Sequence, residues 1–370
     1  VTLLRRLRTA TVLLAAACGN GAGPEPQPQL ALSPPWTTIE VNDSITGDTV
    51  RVRFVNAHGA TVRADSVTWS SSDPTIVQVA ADGRLHAVRV GQVTVRGTVG
   101  TAQAAQAITV SDPVFVGAGD IASCISANDE ASARLLDSLA GTVFTVGDND
   151  YSDGTPEPAY GVCFDSTWGR HMRRLRPAPG DDDRRGGLLD DYYGYFGAKS
   201  HPPTGAYSYD LGTWHIVVMN ATPSVDTAQV RWLRDDLTAH PALCTLAITH
   251  RPRFSSGNTG SSNGMVPVFQ ALYDLGVELL VSGNDHDYER FAPQAPDQSV
   301  DNALGVMQLV VGTGGKSHGR INQPLELNSL VQNDDSYGVL RLVLHPDGYE
   351  WRFVPVAGRT FTDSGQRDCH

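Results

Sequence analysis

The 370 residues carry a formal net charge of -12 at pH 7, from 28 Lys plus Arg against 40 Asp plus Glu. That balance excludes a nucleic-acid-binding surface, since such binders need a basic patch to displace counterions; 41% hydrophobic and 18% charged residues exclude a disordered or fibrous chain. The length allows two domains, and no apolar run beyond Leu14 is long enough to cross a bilayer as a helix.

In chain order, Arg5, Arg6 and Arg8 precede a short apolar stretch, Thr11 to Ala17, and then Cys18. This reads as a signal peptide over 1–18 and not a membrane span. Small residues directly before Cys18 resemble a bacterial lipoprotein cleavage site, with Cys18 as the lipidation site. The alternative is an ordinary signal with an incidental cysteine. Either way the chain is expected to be exported, to the cell envelope by a lipid anchor or as a secreted protein, with the anchor as its one membrane contact. Residues 19–35, rich in Gly, Pro and Gln, read as a linker.

Residues 36–111 alternate apolar and polar positions, as in Val50-Arg51-Val52-Arg53-Phe54 and Gln92-Val93-Thr94-Val95-Arg96, between Gly, Asn and Asp turns. Period-2 runs of this kind predict a small antiparallel β-sandwich. The stretch from Val67-Thr68-Trp69-Ser70 through Asp82-Gly83 to Gly91-Gln92-Val93-Thr94-Val95 resembles the bacterial Ig-like domain of the second type. Such a domain acts as a spacer or adhesive module, with Trp69 in its core.

From Asp112 to His370 strands alternate with helices. Strands are predicted at Val114–Gly119, Val143–Gly147, Thr213–Met219, Leu243–Thr249, Val277–Ser282, Val306–Gly312, Tyr337–Leu344 and Tyr349–Val356. Helices are predicted at Asn128–Leu139, Thr227–His240 and Met265–Leu275. Two mixed sheets flanked by helices would hold all of these.

Short motifs stand where these apolar runs end: Gly119-Asp120, Gly147-Asp148-Asn149-Asp150-Tyr151, Thr249-His250 and Gly283-Asn284-Asp285-His286. Strand ends that deliver Asp, Tyr and His to one sheet edge are a common way to assemble a metal site, and a phosphoester-cleaving dication cluster needs one carboxylate that bridges both ions. Asp148 is the natural bridge. The ordered set resembles the calcineurin-like metallophosphoesterases, most closely their purple acid phosphatase branch. Thr167-Trp168-Gly169-Arg170-His171, Pro252-Arg253-Phe254-Ser255-Ser256 and Asp287-Tyr288-Glu289-Arg290-Phe291 match it too. The resemblance implies an α/β four-layer αββα sandwich and a first ion, iron, held by Asp120, Asp148, Tyr151 and His286.

The second site departs from that pattern. Where the family has Gly-Asn-His this chain has Gly180-Asp181-Asp182-Asp183, and Asn284 replaces the first His of Gly-His-x-His. The second ion would take Asp148, His250, Asp181 and Asn284, an oxygen-rich set that favours Mn or Mg over Zn. Asp182 stands where the family keeps a catalytic histidine and could serve as a general acid beside Asp148 and His250. The rival reading makes Asp181 to Asp183 a solvated charged loop over a degraded site. Arg253, Lys316 and His318 are candidate phosphate-binding residues, each equally readable as a surface group, while His171 and His240 read as helical surface groups.

Cys124, Cys163, Cys244 and Cys369 allow three pairings. In an exported chain they read as disulfides, with Cys124 to Cys163 and Cys244 to Cys369 expected because the first pair falls in two loops near one site. The function implied by the resemblance is metal-dependent hydrolysis of small phosphomonoesters by a metal-bound hydroxide. The alternatives are a phosphodiesterase or nucleotidase, or a catalytically impaired metal-binding surface protein.

Overall fold

The computed structural model describes residues 27–33, 38–40, 51–151, 160–184, 186–220 and 226–370. The expected signal segment with Cys18 lies outside the described residues, as does the linker up to Pro26. The first strands are β1 (Gln29–Ser33), β2 (Thr38–Glu40), β3 (Arg51–Val55), β4 (Thr68–Ser71), β5 (Val77–Val79), β6 (Leu85–Ala87), β7 (Gly91–Val99) and β8 (Ala102–Ser111). They form a four-stranded sheet in the order β2-β8-β7-β4 and two paired ribbons, β1 with β3 and β5 with β6. The linker expectation over 19–35 is corrected in its last part, where Gln29–Ser33 is a strand and places Leu30 opposite Phe54. Both side chains enter a core with Val52, Val77, Leu85, Val95 and Ile108. Trp69 packs on that core partly buried, directly opposite Gly97. A methyl on Gly97 would lie 2.8 Å from the indole, so the glycine makes room for the ring.

After β8 the pattern changes to β9 (Val114–Ala118), α1 (Asn128–Ser138), β10 (Thr142–Thr145), β11 (Leu175–Arg176), α2 (Asp190–Phe196), β12 (Tyr207–Leu211) and β13 (Trp214–Val218). Next come α3 (Thr227–Ala239), β14 (Cys244–Ile248), α4 (Val266–Asp274), β15 (Leu279–Ser282), β16 (Tyr288–Phe291) and β17 (Met307–Val311). The chain closes with β18 (Ser329–Asn333), β19 (Gly338–His345), β20 (Gly348–Pro355) and β21 (Ser364–Asp368). Two mixed sheets result, β11-β10-β9-β19-β20-β21 and β12-β13-β14-β15-β17-β16-β18.

Alternation along the central strands shows the layering. Ile216, Val218, Leu246, Ile248, Leu279 and Val281 join the core between the sheets. Their neighbours Val217, Ala247 and Leu280 face Leu233 and Leu237 of α3 and Val268 and Leu272 of α4. Strands buried on both faces read as continuous apolar runs because each face meets a different layer. The four-layer αββα expectation holds.

Both disulfides form as expected, Cys124 with Cys163 and Cys244 with Cys369, at Cα separations of 5.3 and 5.5 Å. The second closes a span of 125 residues and ties the tail after β21 to β14 in the other sheet. By loop-closure entropy, replacing Cys244 and Cys369 together with serine should cost about 2–5 kcal/mol. Denaturant unfolding of the oxidised protein and the double variant measures this, and coincident curves would show that the crosslink constrains little.

Candidate metal centre

Parallel pairing of β9 with β10, and of β13, β14, β15 and β17 with one another, brings their C-terminal ends to one edge. The two sheets are stitched there: Gly119 donates its N–H to the Val311 carbonyl at 2.9 Å, and Gly314 donates its own to the Gly119 carbonyl at 2.8 Å. Each motif turns sharply as it leaves its strand. Asp120, Asp148 and Asn284 all sit in the left-handed region, at φ 58°, 50° and 68°. Non-glycine residues rarely adopt that conformation, and such strain concentrates at functional sites. Glycines leave space for the carboxylates, since a methyl on Gly283 or Gly312 would lie 2.6 or 2.7 Å from Asp120 Oδ2.

Asp120, Asp148 and His250, all buried, offer ligand atoms within 4.8 Å of one another. Tyr151 donates its hydroxyl to Asp120 Oδ1 at 2.8 Å and lies 3.1 Å from His286 Nε2, which is 3.3 Å from the same Asp120 oxygen. The residues expected at the first ion therefore converge. On the other side of Asp148, His250 Nε2 lies 3.3 Å from Asp148 Oδ1 and 3.5 Å from Asp181 Oδ1. Asp182 donates its backbone N–H to Asp148 Oδ1 at 2.8 Å, and Asn284 donates its own to Asp120 Oδ2 at 3.0 Å.

The donor set fits metal ions. His250 Nε2 is buried with no hydrogen-bond partner among the described residues, while Nδ1 is held at 2.9 Å by the Val146 carbonyl. His286 Nδ1 is likewise held by Ser317 Oγ at 2.6 Å. A second partner that fixes the ring and leaves the other nitrogen inward is the usual arrangement around a ligating histidine. The electrostatics also call for positive charge. Burial would lower the His250 pKa, but Asp148, with Asp120 and Asp181, lifts it to about 10. Burial would raise the Asp148 carboxyl, but His250 and the Asp182 N–H bring it down to about 2. Burial, followed by Asp120 and Asp148, pushes the Tyr151 phenol well up.

The three aspartates after β11 part company. Asp183 is buried, and its carboxylate accepts from Asn149 N at 3.0 Å, Asn149 Nδ2 at 2.9 Å, Gly180 N at 2.7 Å and the Tyr160 hydroxyl. It belongs to no solvated loop. Asp182 is exposed at the mouth, where local desolvation of its carboxyl, then the charge of Asp148, pushes it up to about 7. Asp181 turns Oδ1 towards His250 and pairs through both oxygens with Arg251.

Of the three phosphate-binding candidates, Lys316 adjoins the ligands, with Nζ 4.4 Å from the Tyr151 ring centroid. Arg253 lies over Phe254, and His318 stacks on Tyr337 at 3.8 Å. His171 is corrected from a surface group: its side chain is 10% exposed and sits 3.2 Å from Asp137. Sequence reasoning missed Arg251, whose signal was its place directly after a strand-end histidine, and Ser317, whose signal was a hydroxyl beside Lys316. Asp285 and Glu289 brace the 255–260 loop by accepting from Ser255 Oγ, Thr259 N, Gly260 N and Ser256 N.

A second group, His215, Asp236 and His240, stands at the opposite end of β13. Both His215 nitrogens already face carboxylates, Asp210 and Asp236, at 2.9 Å, and Ser208 donates to Asp236 at 2.7 Å. The His215 and His240 rings stack within 17° of parallel. Imidazole lone pairs lie in the ring plane, so these two do not converge on one ion, and the group is a satisfied polar network.

Residues 37–110 match the bacterial Ig-like domain of group 2. Over 151 residues the chain is 27% identical to Purple acid phosphatase 21 of Arabidopsis thaliana, covering 38% of this chain and 34% of that protein. The chain thus spans about a third of the length of the curated relative it matches, 34%. The purple acid phosphatase PPD1 from yellow lupin seeds aligns with 92% of this chain and 74% of its own, at TM-score 0.56 and 16% identity. PhoD aligns over 91% and 88% at 0.50 and 13%. GAP50, the anchor in the inner membrane complex of Plasmodium, aligns over 70% and 90% at 0.57 and 14%. At these identities the structural likeness speaks for the fold alone. The chain joins a bacterial Ig-like domain of group 2 to a domain with the metallophosphoesterase fold of the purple acid phosphatases, to which it is also similar in sequence.

Proposed function

We propose that this chain is an exported, metal-dependent phosphomonoesterase carried on an Ig-like spacer. The convergence of Asp120, Asp148, Tyr151, His250 and His286 from four strand ends, with His250 Nε2 facing the Asp148 and Asp181 carboxylates inside it, supports the reading most directly. Asp120, Asp148, Tyr151 and His286 would hold the first ion, expected to be iron. Asp148, His250, Asp181 and Asn284 would hold the second, expected to be Mn, Mg or Zn. Bound ions supply Lewis acidity, which makes water nucleophilic at neutral pH and neutralises phosphate charge.

The remaining work falls to the chain's own residues. Asp148 belongs to both ligand sets and keeps them in fixed relation. His250, held through Nδ1 by the Val146 carbonyl, would present Nε2 to the ion. Asp182, exposed and tied to Asp148 through its backbone N–H, would hand a proton to the departing oxygen. Export accords with two disulfides, which persist in oxidising compartments, and with the Ig-like domain. A lipid anchor at Cys18 is the expected attachment.

A second reading, a metal-binding surface protein without turnover, draws on Asp181, whose carboxylate is already engaged by Arg251. The same fold also occurs in a Plasmodium protein described as an anchor. Elemental analysis of the full chain after loading with Fe, Mn, Zn or Mg separates the two, followed by a screen of phosphomonoesters and diesters. The expected result is two ions per chain and monoester hydrolysis. One ion without hydrolysis would transfer the assignment to the surface protein.

A further inference from the structure

Arg251 follows His250 directly beyond the end of β14 and is one of the residues that tie the acidic loop to the candidate metal-binding edge. Its Nε donates to Asp181 Oδ1 at 3.2 Å and its Nη2 to Asp181 Oδ2, while its backbone carbonyl accepts from Thr249 Oγ1 at 2.9 Å. A guanidinium carries five N–H donors in one plane. Asp181 uses two, leaving three for another oxyanion. The side chain is 26% exposed, so part of it meets solvent. Asp181 Oδ1 also lies 3.5 Å from His250 Nε2, which puts the guanidinium one carboxylate away from the ligand cluster.

The charge balance of the site asks for such a group. Asp120, Asp148, Asp181 and Asp182 place four carboxylates around the position a phosphate dianion must reach. Lys316, over Tyr151, is a fixed cation on the flank of the first-ion ligands. Arg251 is its counterpart on the flank of His250 and Asp181. An arginine pinned through Nε and Nη2 has already lost its rotamer freedom, so a phosphate that binds it bears less ordering cost, and its planar fork matches phosphate geometry.

We infer that Arg251 binds the phosphoryl group of the substrate, and that Asp181 holds it in place as a positioning residue. The role presupposes the phosphoesterase reading above. It also gives a reason for a carboxylate at 181, since an amide there would bind the guanidinium without the opposite charge.

The test uses the full chain loaded with Mn, with orthophosphate as the probe and calorimetry as the measurement, on the wild type, Arg251→Gln and Arg251→Lys. Arg251→Gln should weaken orthophosphate binding about ten- to hundredfold with metal content unchanged. It should raise KM by a similar factor and leave kcat within about threefold. Arg251→Lys should restore part of the loss, because an ammonium supplies charge but not the fork. Equal orthophosphate affinity in the wild type and Arg251→Gln would make Arg251 only the counterion of Asp181 and overturn the inference alone. Loss of an ion in Arg251→Gln would also overturn it, since the effect would then pass through the metal site. Failure of the loaded wild type to bind orthophosphate at all would remove the phosphoesterase reading together with it.

Discussion

Asp148→Asn should lower phosphomonoester turnover by a factor of about a thousand or more while the chain stays folded. Asp148 leaves β10 in the left-handed region, is buried, and lies between His250 Nε2 at 3.3 Å and the Asp182 N–H at 2.8 Å. Asparagine is nearly the same shape and tolerates that backbone conformation better than most residues, so the fold loses little. What goes is the negative charge shared by both ligand sets. An amide that turns its NH2 towards His250 or Asp182 also places donor against donor. Elemental analysis should show fewer ions bound, and steady-state kinetics should show the loss in kcat as well as kcat/KM. Undiminished turnover in this variant would remove the entire site assignment.

Asp183→Ala should destabilise the protein by about 3–5 kcal/mol, whereas Asp182→Ala should stay within about 0.5 kcal/mol of the wild type. Asp183 is 1% exposed and accepts four donors, from Asn149, Gly180 and Tyr160. Truncation leaves all four buried without an acceptor. Those donors also fix the loop from Gly180 to Asp182 against Asn149, next to Asp148, so metal content should fall along with stability. Tyr160 belongs to an aromatic cluster with Phe164, Tyr195 and Phe196, which spreads the damage into the packing beside Cys163. Denaturant unfolding of both variants decides the matter. Equal curves for Asp182→Ala and Asp183→Ala would restore the picture of a solvated run of three aspartates.

Most strands and helices of the second domain were legible within a residue or two. Runs such as Trp214 to Val218 and Cys244 to Ile248 are apolar at every position because they are covered on both faces. The elements that escaped notice were short or mixed. Leu175–Arg176 has two residues, Asp190–Phe196 is a helix of seven with a glycine inside it, and Tyr207–Leu211, Tyr288–Phe291, Ser329–Asn333 and Ser364–Asp368 carry polar or partly exposed positions. Gln29–Ser33 was read as tether because its neighbours are Pro and Gly. Its role as a strand depends on β3, which lies more than a dozen residues further on.

The sequence by itself determined the family resemblance, the alternation of strands and helices and the residues that meet at the candidate metal-binding edge. Each of these follows from local features: period, glycine before a turning aspartate, and the order of motifs at strand ends. What Asp181, Asp182 and Asp183 each do was decided only by the tertiary structure. Three identical side chains in a row carry the same local information, yet one is buried under four donors, one faces solvent and one grips an arginine that lies beyond the end of β14. Arg251, Ser317 and the Val146 carbonyl likewise gain their roles from contacts far apart in the chain, and the distances that define those roles exist only once the two sheets have closed on each other.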